Sequence, residues 1–403
     1  MSSSSGKFES SSILYPASIG FSSNYFDPIM KGTVTKAPVS PDWVILRSFL
    51  PENWIQLARD TGALKGLRKY KCPEAYLRVL LIHLGCGYSL RETVVRARHA
   101  GLADLSDVAL LKRLRKSKDW LYAMCKMLFQ EHGIEVSSDD DALNMRAFDA
   151  TIVSEKGPTG SQWRIHYSVT LPTFGCDFFK LTSTSGEGTG ESFKQFPIQS
   201  GDYILADRGY STGSGVKYVS KAGGYVTIRV NTGILHFEIK PDVPFNLLAS
   251  VETVTKLGEI GEWDVQIPGS SPVSGRICVL RKTEEAAQKA LNQILQNAKR
   301  KGNKPRDETL RYARYVILFT TFPSTRFTAS EVLEWYRLRW QVELVFKRFK
   351  SLAQFGHLPK FDDDSSKAWL YGKLLVALLT EKIVRHARTF SPWGYHCSEK
   401  PME

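Results

Sequence analysis

Residues 330–352 read SEVLEWYRLRWQVELVFKRFKSL, and the fold is decided there. With a helical advance of about 100° per residue and Tyr336 as zero, Arg339 falls near 300°, Glu343 near 340° and Lys350 near 320°, an arc of about 60°. Leu338, Val342, Val345, Phe346 and Phe349 make a broad apolar face beside that arc, and Trp340 and Leu344 flank it on the other side. Arg337, Gln341 and Arg348 take the water side. A strip of Tyr, Arg, Glu and Lys between two apolar stripes is expected in a cleft, not on an ordinary solvated face. The plain alternative is a ladder of salt bridges, since Arg339 and Glu343 are an i,i+4 pair, in the less favourable order.

Working back along the chain, two aspartates give the strip a purpose. Asp149 follows Met145-Arg146-Ala147-Phe148, and Asp207 follows Tyr203-Ile204-Leu205-Ala206. Alone, each reads more readily as a turn residue or helix N-cap. A carboxylate ending an apolar run is costly to bury unless paired, hydrogen-bonded or placed on a metal. Two strand-borne Asp and one helix-borne Glu form a hard, all-oxygen donor set for Mg²⁺, with Mn²⁺ able to substitute. Two such ions about 4 Å apart activate a water or 3′-hydroxyl and stabilise the leaving oxygen of a phosphodiester.

The surrounding pattern supplies the scaffold. Met145–Ser154, Trp163–Leu171 and Cys176–Thr184 are rich in β-branched and aromatic residues and read as three consecutive antiparallel strands. A short helix is expected at Gly190–Phe196, a strand at Asp202–Ala206, a helix at Gly213–Lys221 and a strand at Tyr225–Val230. Residues 231–325 break this rhythm and read as a β-rich insertion. It has strands at Val251–Lys256, Glu262–Ile267 and Arg276–Arg281, a polar helix at Glu284–Lys301, and a closing strand at Tyr315–Thr321. Helices at Ser330–Leu352 and Ser366–Arg388 complete the chain. The expectation is an α/β fold: a ribonuclease H-like catalytic core (139–230 and 326–392) interrupted by the insertion, with a tail at 393–403.

Ahead of the core, residues 41–138 read as an all-helical N-terminal domain that binds DNA, and residues 1–40 as a flexible arm rich in Ser, Gly and Pro. Pro51–Thr61 and Pro73–Leu84 carry helical spacing. Ser89 and Ser106 are N-caps for helices at Ser89–His99 and Asp107–Lys116, which flank a turn at Gly101 in the manner of a helix-turn-helix. Asp139-Asp140-Asp141 reads as a solvated linker.

At 403 residues the chain exceeds what a single hydrophobic core fills. Its net charge of +13 matches a polyphosphate partner. Cys72, Cys86, Cys125, Cys176, Cys278 and Cys397 form no CxxC pair, which argues against a zinc site or disulfide framework. MSSSSGKFESSS has no apolar signal core, and Leu77–Leu84 and Leu374–Leu379 are too short to cross a bilayer. A cytoplasmic, nucleoid-associated protein is expected, with no membrane partner.

The spacing Tyr336-x2-Arg339-x3-Glu343-x6-Lys350 resembles the signature of the DDE transposases of bacterial insertion sequences, the insertion-sequence-four family in particular. FDAT around Asp149 and ADRGY around Asp207 resemble that family's first and second aspartate motifs; SLRETVVRARHAGLADLSDVALLKRLRKS and FGHLPK are also similar. The resemblance implies a metal-binding catalytic triad of Asp149, Asp207 and Glu343, with Tyr336, Arg339 and Lys350 holding phosphates of the transposon end. It implies strand cleavage, a hairpin step and transfer into target DNA, by a homodimer that holds two inverted-repeat ends. Relatives stack a flipped base on an aromatic, usually Trp. The matching position here is Tyr315, with Tyr312 and the more distant Trp263 as rivals. A catalytically inactive DNA-binding regulator would need a damaged triad, and a small-phosphoester hydrolase would not need the basic helical segment.

Overall fold

Alternation along two short strands sorts the middle of the chain between two cores. Met145 and Ala147, like Tyr203 and Leu205, face one apolar cluster; Phe148, Ile204 and Ala206 face the other. The computed structural model describes residues 41–67, 72–131, 143–154, 162–171, 175–185, 190–352, 358 and 362–389. The expected arm, the acidic linker, most of FGHLPK, Cys397 and the tail lie outside the described residues.

The strands are β1 (Met145–Ser154), β2 (Gln162–Leu171), β3 (Cys176–Ser183), β4 (Tyr203–Ala206), β5 (Tyr225–Arg229), β6 (Glu238–Lys240), β7 (Val243–Pro244), β8 (Ile260–Ile267), β9 (Val273–Arg281) and β10 (Tyr315–Thr320). They form one sheet in the order β3-β2-β1-β4-β5-β10-β9-β8-β6-β7. The first three are antiparallel, as expected, and β4 and β5 continue parallel to β1. β10 runs antiparallel to both β5 and β9, so the strands of 231–325 extend the central sheet instead of forming a layer of their own.

Among the described residues six helices precede β1: α1 (Pro41–Ser48), α2 (Trp54–Asp60), α3 (Pro73–Cys86), α4 (Leu90–His99), α5 (Asp107–Lys116) and α6 (Lys118–Glu131). Ser89 and Ser106 cap α4 and α5 through their hydroxyls, and Gly101 turns between them at φ 63°. Of the basic side chains on α5, Arg113 donates to the Lys65 and Gly66 carbonyls, and Arg115 pairs with Asp362 at 2.7 Å. Lys112 and Lys116 are left on the exposed face.

Downstream come α7 (Gly213–Lys221), α8 (Leu247–Glu252), α9 (Glu284–Arg300), α10 (Asp307–Tyr312), α11 (Ala329–Leu352) and α12 (Asp363–Thr389). α12 returns to pack on α3, α5 and α6, and α11 lies against β1, β4, β8 and β9. No helix among the described residues is long and apolar enough to cross a membrane.

Two local expectations are corrected. The expected strand Val251–Lys256 begins instead as the end of α8. Asn246 caps that helix by accepting from Ala249 N at 3.1 Å, and Val251 buries on its inner face with Leu247 and Leu248 packed beside it. Gly190–Phe196 holds only a 3₁₀ turn at Phe193–Gln195, because Phe193 and Phe196 are both pulled into the core.

Candidate active site

The register between β1 and β4 brings the two aspartates side by side. Phe148 pairs with Ala206 across the parallel ladder, and Asp149 and Asp207 are the next residues on each chain. Two-residue alternation puts both on the face of Ala147 and Leu205, the face that α11 covers. Asp149 accepts from Ala150 N at 2.8 Å and from the Tyr167 hydroxyl at 2.9 Å, the latter from its partner on β2. Burial pushes its carboxyl above the ordinary range. Those two hydrogen bonds and the nearby Arg339 charge pull the other way, while the charge of Asp207 adds to the rise.

α11 delivers the polar strip to this face. Tyr336 Oη donates to Asp207 Oδ1 at 3.5 Å. Arg339 Nη2 lies 3.0 Å from Glu343 Oε1 and 4.0 Å from Asp207 Oδ1. One nitrogen reaching both oxygens bounds their separation at 7.0 Å, the sum of those distances. Asp149 also lies close enough for its charge to act on Arg339. Tyr336, Arg339, Glu343 and the two aspartates therefore meet in one place. Lys350 is on the same helix, but its side chain is outside the described residues. Trp340, expected on a buried flank, is instead 56% exposed, at the edge of a cavity that it shares with Tyr336 and Arg339.

The electrostatics are those of acids gathered around a guanidinium. Among the described residues, no three His, Cys, Asp or Glu side chains already form a cage for a metal ion. Arg339 is 9% exposed, and its Nε and Nη1 have no hydrogen-bond partner among the described residues. Buried donors of that kind are costly and call for an acceptor such as a phosphate oxygen. The donor set fits a hard divalent cation: all oxygens, with Asp149 strongly desolvated and in need of a positive neighbour. Arg339 now supplies that positive charge between Asp207 and Glu343.

A cavity of about 610 Å³ opens beside the cluster, lined by Arg229, Lys282, Tyr336, Arg337, Arg339 and Trp340 among others. A second, of about 490 Å³, shares Arg229 and Lys282 with it and adds Arg208, Tyr312 and Tyr315. Burial, followed by the charge of Arg229, lowers Lys282 to about 8. Tyr315 is 6% exposed beneath the Arg281 guanidinium at 5.0 Å, whereas Tyr312 is half-buried. Trp263 lies on β8, packed against Phe245. Arg208, Arg229 and Lys282 did not emerge from the sequence. They sit on separate elements that only the sheet order brings together.

Residues 182–379 match the family model described as "Transposase DDE domain", a span that includes Asp207 and Glu343 and begins after Asp149. The putative transposase InsL for insertion sequence element IS186A of Escherichia coli (strain K12) is 30% identical over 349 residues, covering 85% of this chain and 93% of that protein. The transposase for insertion sequence element IS421 of Escherichia coli is 30% identical over 350 residues with the same coverage. The transposase for IS1151 of Clostridium perfringens is 24% identical over 198 residues, 45% of this chain and 42% of that one. A cryo-EM structure of the piggyBac transposase synaptic complex with hairpin DNA overlays with a TM-score of 0.40 at 8% identity, over 88% of this chain and 85% of that one, too loosely to carry over any detail.

Proposed function

The chain belongs to the DDE transposases of insertion-sequence elements, and from that premise we propose that Asp149, Asp207 and Glu343 are its catalytic carboxylates, acting on the inverted-repeat ends of its own element. As a transposase it cleaves DNA and transfers strands, and enzymes of this kind use divalent metal ions. The observation that carries the residue assignment is the Arg339 bridge. A single guanidinium touches both Glu343 from α11 and Asp207 from the end of β4, with Asp149 as the neighbour of Asp207.

The proposed cation is Mg²⁺, with Mn²⁺ able to substitute, held by the three carboxylates. When bound, it supplies Lewis-acid activation of the attacking oxygen and offsets charge on the leaving one. The chain's own residues do the positioning. Arg339, with two buried nitrogens unpartnered among the described residues, is suited to grip a phosphate once it leaves the acids. Tyr336 steadies Asp207 and borders the same cavity, which supports a phosphate contact for it as well. Lys350 is assigned the same role from its place in the signature. Arg229, Lys282 and Arg337 extend the cationic lining away from the acids, which suits a DNA strand leading to them.

Membership of the insertion-sequence-four group, the hairpin route and a homodimer holding two ends complete the proposal. A hairpin needs an aromatic to stack a displaced base. Tyr315 takes that part if the Arg281 guanidinium swings off its ring; Tyr312 lines the same cavity and needs less uncovering. The α4–α5 pair is proposed to contact DNA through its exposed basic face.

The test uses Asp149→Ala, Asp207→Ala and Glu343→Ala with a labelled inverted-repeat duplex. Each variant is expected to lose cleavage in Mg²⁺ while still shifting the duplex, with affinity that falls steeply as salt rises. Full cleavage by any one variant removes that residue from the triad. Cleavage absent from the wild type, with binding intact, would favour a DNA-binding regulator.

A further inference from the structure

A fourth carboxylate stands beside the two aspartates. Glu191 lies between β3 and β4, and the negative charges of Asp149 and Asp207 and the positive charge of Arg164 all act on it. Glu191 is exposed, and the segment that follows it is anchored by aromatic packing to the chain beside both aspartates. Phe196 stacks on Phe148, the residue before Asp149, with centroids 4.1 Å apart. Phe193 packs on Tyr210, three residues after Asp207, at 5.2 Å. Phe193 and Phe196 are 0% and 2% exposed, so the segment carrying Glu191 is anchored at both rings.

The carboxylate tip reaches over the ADRGY motif. A Cβ built on Gly209 would collide with Glu191 Oε2, so any side chain there would make the carboxylate move from its place two residues from Asp207. A second observation comes from the next residue. The Tyr210 hydroxyl is buried, has no hydrogen-bond partner among the described residues, and feels the charges of Asp149, Glu191, Arg164 and Asp207. A buried hydroxyl among three carboxylates needs a partner, and a hydrated cation at this spot provides one.

We propose that Glu191 is a positioning residue of the active site, facing the cation of the Asp149–Asp207 pair through that ion's water shell, in the space that Gly209 keeps open. The inference rests on the reading of Asp149 and Asp207 as cation ligands. Its ligand is a hydrated divalent cation. Three carboxylates already repelling one another gain most from a divalent charge, and an outer carboxylate orients the waters that the inner ones leave free.

The experiment measures Mn²⁺ binding to the full-length protein by the electron paramagnetic resonance of free Mn²⁺, with thermal unfolding alongside. Glu191→Gln is expected to weaken Mn²⁺ roughly 10–100-fold, the range for losing an outer-sphere carboxylate. Gly209→Ala should do the same by displacing the carboxylate, and should add little in the Glu191→Gln background, because both changes remove one interaction. Glu191→Asp covers the case in which Glu191→Gln fails to fold; it keeps the charge and should fall between wild type and Gly209→Ala. Unchanged Mn²⁺ affinity in Glu191→Gln, with a lower melting temperature, would leave Glu191 as a counter-ion of Arg164 and overturn the inference. Asp207→Asn is the control for the premise. If it binds Mn²⁺ like the wild type, or the wild type binds none, the aspartate pair is not the cation site and both readings fall. If Asp207→Asn loses Mn²⁺ while Glu191→Gln does not, only the role of Glu191 is refuted.

Discussion

Replacing Arg339 with Met should make the protein bind divalent cations more tightly while it loses the ability to cut DNA. Met keeps an unbranched stem against Tyr336, whose ring lies 5.6 Å from the guanidinium carbon, and removes the charge. At an effective dielectric near 20, a pair of charges about 4 Å apart attracts by about 4 kcal/mol. The Asp207 and Glu343 side chains are 42% and 36% exposed, so solvent screening cuts each contact to the order of 0.5–1 kcal/mol. Two contacts give an attraction of about 1–2 kcal/mol, which a cation must overcome when it takes the place of the guanidinium. Losing that competitor should tighten Mn²⁺ binding roughly five- to thirtyfold. Stability without metal should change little. The lost attraction is offset by removal of two buried nitrogens that have no partner among the described residues, each costing about 1 kcal/mol or more. Mn²⁺ titration and thermal unfolding in a chelator, on wild type and variant side by side, read both quantities. Equal or weaker Mn²⁺ binding in Arg339→Met would refute the idea that the guanidinium stands where the cation binds.

Three further expectations concern other parts of the molecule. The Asp149 carboxyl is held above its ordinary value of 3.8, so its contribution to stability is present below that pH and lost as pH rises through the raised value; Asp149→Asn, which keeps the oxygen that accepts from Tyr167, should therefore unfold later than wild type at neutral pH in chelator, by roughly 0.5–2 kcal/mol, with the gap closing toward acid. In Gly275→Ala the new Cβ would meet the Thr320 carbonyl at 2.5 Å and Phe319 Cζ at 2.6 Å, so β9 and β10 are forced apart and the urea midpoint should drop by the equivalent of about 1–3 kcal/mol. Exchanging Lys112 and Lys116 together for Glu should weaken duplex binding and lower the slope of log affinity against log salt by about 2, whereas Arg115→Ala, already paired with Asp362, should leave that slope unchanged.

Much of the scaffold was legible because its signals are local. Ser89, Ser106 and Gly213–Lys221 announced a cap, a cap and a helix through short-range hydrogen bonding and spacing, and the structure has all three. The strip of Tyr336, Arg339 and Glu343 is a consequence of helical pitch, which needs no knowledge of the rest of the chain. Residues 251–256 were misread as a strand because Val251, Thr253 and Val254 have a strand-like composition, while Val251 also shares a helical spacing with Leu247 and Leu248. Asn246 decided between them by capping the helix. Trp340 was misplaced for a related reason: pitch gives the angle of a residue around its helix but not which side the sheet covers.

The sequence by itself determined which residue types stand at strand ends and along one helix face, along with the charge that favours a polyphosphate partner. The tertiary structure alone decided that β4 lies beside β1, and so that Asp149 and Asp207 are neighbours. It also decided that Arg339 sits between Asp207 and Glu343, that Glu191 reaches over Gly209, and that Arg113 and Arg115 are engaged by partners distant in sequence. The physical reason is range. Pitch, capping and alternation act over a few residues and are written in order along the chain. Sheet order and side-chain contact join segments far apart in sequence, and they are selected only when the two cores close on either side of the sheet.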